Sequence, residues 1–148
     1  MNSTLRSLMA ARRSTLSHME TRKPIILVVD DYPTNLKLVS DILEFEGYHL
    51  LKAGDAEEAQ TVIQRTLPDL IFMDIALPGM DGLTLTRKLK AEPLTKDILI
   101  IALTAFAMKG DDQKALDAGC DGYITKPIDT RRLPGQVAEL LERRKGER

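Results

Sequence analysis

Apolar residues in this chain fall into short continuous runs that alternate with stretches of helical spacing. Ile25 to Val29 is a brief β-branched run, the pattern of a strand buried on both faces. After Pro33, with Thr34 as a candidate N-cap, Leu36, Val39, Ile42 and Leu43 share one helical face, and Gly47 ends that helix. Tyr48 to Ala53 reads as a second strand, the most exposed of the set because it carries His49 and Lys52. Asp55 should cap a helix through about Arg65 that turns Ala59, Val62 and Ile63 inward, and Pro68 breaks it.

The alternation continues to the end of the chain. Residues 69–73 form a third strand that ends at Asp74. Residues 76–82 are dense in turn formers and must loop. A helix from Leu83 to Ala91 is stopped by Pro93, and Ile98 to Leu103 makes a fourth strand. Residues 106–118 read as helix and residues 121–125 as a short fifth strand. Asp129 is placed to cap a last helix running to about Arg143, with Pro134 tolerable only in its first turn. Five strand–helix units at regular spacing predict an α/β domain: a doubly wound parallel sheet with helices on both faces and right-handed crossovers.

Composition narrows the function classes. The chain has 148 residues, 43% hydrophobic and 29% charged, which suits one soluble domain. Aromatic residues are only 4% and Trp is absent, so a stacking platform for single-stranded nucleic acid is disfavoured. Residues 1–22 hold Arg6, Arg12, Arg13 and Arg22 against Glu20 alone, which leaves the rest acidic and argues against nucleic-acid binding. That stretch is read as a flexible N-terminal extension: a transit-like leader, a mis-assigned start upstream of Met19 or a cloning remnant. The domain then spans 23–143, with 144–148 a charged tail that leaves no room for an effector domain. No apolar run approaches the ~20 residues of a membrane span, so no membrane partner is expected. Cys120 is the single cysteine, has no nearby His, and is read as a small packed residue in a reducing, cytoplasmic setting.

The chemistry lies where polar residues interrupt the strands. Asp30 and Asp31 follow the first strand, Asp74 the third, Thr104 the fourth and Lys126 the fifth. The carboxyl ends of parallel strands share one edge of a doubly wound sheet, so these residues converge on one cleft. Any one Asp after a strand is an ordinary helix cap; all of them at one edge is a site. Three carboxylates repel unless a cation joins them. An all-oxygen set without His or Cys selects a hard ion such as Mg²⁺, which recruits phosphate oxygens. A carboxylate beside it can act as nucleophile, and Lys126 with Thr104 can take up the charge of a transferring phosphoryl group.

Four segments carry a resemblance: residues 28–31 (Val-Val-Asp-Asp), 73–82 (Met-Asp-Ile-Ala-Leu-Pro-Gly-Met-Asp-Gly), 103–105 (Leu-Thr-Ala) and 123–127 (Tyr-Ile-Thr-Lys-Pro). With them, residues 23–141 resemble the receiver domain of two-component response regulators, and residues 104–111 and 118–123 look similar to single-domain regulators of the bacterial cell-division (DivK-like) type. The resemblance implies a CheY-like, flavodoxin-like sheet of order 2-1-3-4-5. It makes Asp74 the phosphoacceptor and Asp30 and Asp31 magnesium ligands with Asp74 and the backbone carbonyl of Ala76. Thr104 and Tyr123 become the switch pair, and Lys126 the phosphate-pairing cation after which the bond to Pro127 is usually cis. Ala76 stands where the family often has a longer side chain, which leaves open space beside the phosphate.

Function follows as an expectation. The chain would be a stand-alone phosphoacceptor, not a turnover enzyme, fed by a histidine kinase or histidine phosphotransfer protein, or an intermediate receiver in a multistep phosphorelay. Its state would be read by a downstream protein, with the chain a monomer or weak dimer. Leu38 and Phe45 lie outside the core arc of the first helix and could dock a helical phosphodonor, while residues 106–109 (Phe-Ala-Met-Lys) offer a second patch for a target. Two competitors fit worse. A haloacid-dehalogenase-type hydrolase wants Asp-x-Asp, but Ala76 stands two residues after Asp74. A flavodoxin-like electron carrier needs a phosphate cradle after the first strand, where Asp30 and Asp31 repel one.

Overall fold

The computed structural model describes residues 22–77, 79–104 and 110–146. Its elements run β1 (Ile25–Val29), α1 (Pro33–Phe45), β2 (His49–Ala53), α2 (Ala56–Arg65), β3 (Leu70–Asp74), α3 (Gly82–Ala91), β4 (Leu99–Thr104), α4 (Asp111–Ala118), β5 (Gly122–Thr125) and α5 (Leu133–Gly146). All four strand pairings are parallel and the order is β2-β1-β3-β4-β5.

Each central strand divides its side chains between two cores, as a period of two requires. Leu27, Val29, Ile71, Met73, Ile100 and Ala102 pack under α2, α3 and α4 with Ala59, Ile63, Leu85, Leu89 and Ala115. Ile26, Val28, Leu70, Phe72, Ile101 and Leu103 pack under α1 and α5 with Val39, Leu43, Leu133 and Val137. Every residue of β3 is buried, Asp74 included. The edge strand β2 keeps His49 and Lys52 exposed, and a charge on an edge strand discourages pairing with another chain.

Several boundaries differ from the sequence reading. Helix α1 is not capped by Thr34: its N-cap is Tyr32, without a side-chain bond, and Pro33 opens the helix. Proline presets the helical φ and lacks only an N–H that the first turn leaves unbonded anyway, so no hydroxyl cap is needed. Asp129 does not cap α5 directly. Its Oδ1 accepts from the Arg131 N–H at 3.0 Å and its carbonyl from the N–H groups of Arg132 and Leu133, so it holds the turn before the helix. Pro134 then falls in the first turn of α5, which runs to Gly146 rather than Arg143 and takes in residues 144–146 of the supposed tail. Helix α4 opens at Asp111 behind Gly110, whose φ of 105° favours glycine. The earlier part of the helix read over 106–118, the patch at 106–109 and residues 1–21 of the extension read over 1–22 lie outside the described residues. Asp55 caps α2 as expected, accepting from the Glu58 N–H at 2.7 Å.

At the edge where the strands begin, Asp69 gathers distant parts of the chain. Its carboxylate takes Arg22 at 3.0 and 3.1 Å, Arg144 of α5 at 3.2 Å and the Ile25 N–H at 2.8 Å. Asp69→Ala should cost roughly 2–3 kcal/mol, because a part-buried, multiply bonded charge centre is dismantled. A urea titration checks this: the midpoint should fall with the slope unchanged.

Candidate functional site

Register brings the polar strand ends together. Val29 pairs with Met73, so Asp30 and Asp74 stand side by side, and Thr104 pairs with Thr125, so Lys126 follows on the same edge. The carboxylate oxygens of Asp30, Asp31 and Asp74 lie within 4.8 Å of one another. Asp30 and Asp74 are 1% and 4% exposed, whereas Asp31 is open to solvent. The Lys126 ammonium reaches Asp30 Oδ2 at 3.0 Å and Asp74 Oδ2 at 3.1 Å. Burial alone would push this ammonium down, but the close contacts and negative charge of Asp30 and Asp74 outweigh it, and its pKa lies above the ordinary lysine value.

The two buried carboxylates are held by the same device. Asp30 Oδ1 accepts from the Tyr32 N–H at 2.9 Å, and Asp74 Oδ1 from the Ala76 N–H at 2.9 Å. Each Asp thus uses a backbone donor two residues ahead to fix one oxygen and leave the other facing Lys126. These donors were missed in the sequence. The signal was available, since an Asp at the start of a turn commonly bonds the backbone two residues on.

The remaining predicted residues fall around this cluster. Thr104 is buried at the end of β4, and its carbonyl accepts from the Lys126 N–H at 2.7 Å. Tyr123 lies on β5 with 47% of its surface exposed. Ala76 is exposed beside Asp74. The Lys126–Pro127 bond is cis. Leu38 and Phe45 project from α1, Phe45 with 89% of its surface in solvent. Cys120 is buried, and burial pushes its thiol up, which suits a packing role.

Among the described residues Lys126 is the cation paired with this cluster, and it contacts Asp30 and Asp74 but not Asp31, so the three carboxylates together keep net negative charge. Asp30 Oδ2 is buried and close to Lys126, yet no donor is aligned to it as a hydrogen bond. An all-oxygen donor set with two buried carboxylates at one face and solvent-facing Asp31 at the other fits a hard divalent cation that keeps several waters.

Comparison with known proteins agrees with this geometry. A family model for the response regulator receiver domain matches residues 26–138. The polar-differentiation response regulator DivK of Brucella anthropi is 41% identical over 116 residues, covering 78% of this chain and 94% of its own. A CheY-like receiver domain protein from Methanospirillum hungatei superposes with a TM-score of 0.79 at 34% identity, covering 86% of this chain and 100% of that one. Chemotaxis protein CheY4 of Vibrio cholerae gives a TM-score of 0.75 at 25% identity, covering 80% and 98%.

Mg²⁺ at ten times its dissociation constant should stabilise the fold by about 1.4 kcal/mol, seen as a rise in Tm. Asp31→Ala should remove most of that rise, and Asp30→Ala a smaller part if it binds through water. A rise untouched by either change would mean that the cation binds elsewhere.

Proposed function

Because the chain belongs to the response regulator receiver family, we propose that it is a stand-alone phosphoacceptor that takes a phosphoryl group onto Asp74 from a phosphohistidine donor and switches the binding of a protein target. The observation that carries this reading is Lys126 bridging Asp30 and Asp74, with Asp31 in the same cluster. The setting is proposed to be the cytoplasm, and the oligomeric state a monomer or weak dimer.

In the proposed reaction the Asp74 carboxylate attacks the phosphorus in line. The P–N bond to the donor imidazole breaks and its electron pair stays with the imidazole. Asp74 suits the task because the Ala76 N–H and Lys126 hold its two oxygens and the strand beneath it is buried. Asp30, Asp31, Asp74 and the Ala76 carbonyl would hold Mg²⁺, which when bound supplies positive charge to the phosphoryl oxygens. Lys126 can turn from the carboxylates to a phosphoryl oxygen, and the Thr104 hydroxyl can donate to another.

The new charge at the sheet edge gives a switch. Thr104 moves toward the phosphoryl group and vacates space behind β4. Tyr123, half exposed at rest, turns into that space and changes the face of β5. On the opposite side, Leu38 and Phe45 are seven residues apart on α1 and form an exposed apolar rim for a phosphodonor helix.

The direct test is incubation with Mg²⁺ and a small phosphodonor. The wild type should form an acid-stable, base-labile adduct, and Asp74→Asn should form none while keeping its far-ultraviolet spectrum. Undiminished labelling of the variant on another residue would sink the assignment. Thr104→Ala should still be phosphorylated, but its target affinity should no longer respond, with loss of a coupling of about 1–3 kcal/mol. Phe45→Ala should slow phosphotransfer from the protein donor and leave labelling by the small phosphodonor intact.

A further inference from the structure

We infer that Gly82 is a positioning residue for phosphoryl transfer, because its missing side chain lets the first turn of α3 brace the backbone of Asp74. The inference rests on Asp74 being the phosphoacceptor. Gly82 is the first residue of α3 and is buried. A β-carbon there would overlap the carbonyl oxygen of Asp74, and would lie 2.9 Å from the Asp74 carbonyl carbon and 2.9 Å from Met73 Cγ. The main obstruction is backbone, so no side-chain rotation relieves it.

The turn that carries Gly82 is itself fixed. Asp81 Oδ1 accepts from the Thr84 N–H at 2.8 Å. The buried Thr86 hydroxyl donates to the Gly82 carbonyl at 2.8 Å, and the Leu85 N–H donates to the Asp81 carbonyl at 3.2 Å. Asp74 is therefore held from three directions. Its strand lies below, the Ala76 N–H fixes Oδ1, and the capped turn of α3 abuts its carbonyl. An added methyl must displace either the helix start or Asp74 by on the order of 1 Å, and a misplacement of that size costs about 100-fold in rate.

The test uses the full chain, Mg²⁺ and acetyl phosphate. Gly82→Ala should lower the saturating phosphorylation rate about 100-fold and weaken Mg²⁺ binding, while the acetyl phosphate concentration for half-maximal rate changes little. A purely structural role would lower Tm and leave the rate constant of the folded fraction alone, so a folded Gly82→Ala protein with wild-type rate and Mg²⁺ affinity overturns the inference. If that variant does not fold, Thr86→Val and Thr86→Ser decide. Removing the bond to the Gly82 carbonyl should slow phosphorylation about fivefold, the equivalent of one buried hydrogen bond, and Ser should restore it. Wild-type rates in Thr86→Val overturn the inference. Labelling that survives in Asp74→Asn overturns the phosphoacceptor reading instead, whereas labelling lost there but unchanged by the Gly82 and Thr86 variants overturns only the role of Gly82.

Discussion

Like charges crowded at the rim of an apolar sheet set the terms for the rest of the molecule. Asp30, Asp31 and Asp74 bring carboxylate oxygens within 4.8 Å of one another, and two of these side chains are almost wholly withdrawn from water. Burial strengthens repulsion along with attraction. Lys126 answers part of that charge by touching two of the three, and Asp30 Oδ2 still lacks an aligned donor. Such a cluster fits a cation, and in the proposed reaction a phosphoryl group following that cation would alter the balance of the whole edge.

Such a cluster survives only on a frame that cannot relax away from it. Strands β1 and β3 supply Asp30 and Asp74 and sit in the middle of the sheet with helices on both faces. Sliding either strand by one residue would exchange the two cores, so the register that aligns the carboxylates is also the register that buries the apolar side chains. The Tyr32 and Ala76 N–H groups then fix one oxygen on each carboxylate. On that rigid frame the proposed switch would run from a change of charge at the edge through Thr104 to the exposed Tyr123.

Much of this was legible in the residue order. Continuous apolar runs such as residues 25–29 and 70–73 mark buried parallel strands, and the doubly wound rule places whatever follows them on a single edge. That rule suffices to gather Asp30, Asp31, Asp74, Thr104 and Lys126. The helix starts were less legible where two signals competed. At α1 the preset φ of Pro33 prevails over the hydroxyl of Thr34, and before α5 Asp129 spends its side chain on the turn. Gly82 was not legible as more than a turn residue, because what it spares is an encounter with the backbone of Asp74, and sequence periodicity carries no information about such a contact.

The opposite edge of the sheet shows why residue type alone does not define the site. Asp69 and Asp121 each stand just before a strand, as Asp30 and Asp74 stand at the close of one. Asp69 is met by Arg22, Arg144 and the Ile25 N–H, and Asp121 by Lys90 and the Ile100 N–H. Both of these carboxylates have a cation and a backbone donor, and both tie the start of one strand to the neighbouring element. At the carboxyl edge Asp30 and Asp74 share Lys126, and Asp31 joins the same cluster. The same side chain therefore serves as a fastening where its charge is matched and, under the proposed function, as the seat of a switch where it is not. The distinction depends on how many cations the fold brings within reach, which is a property of the assembled sheet and not of the segments around each Asp.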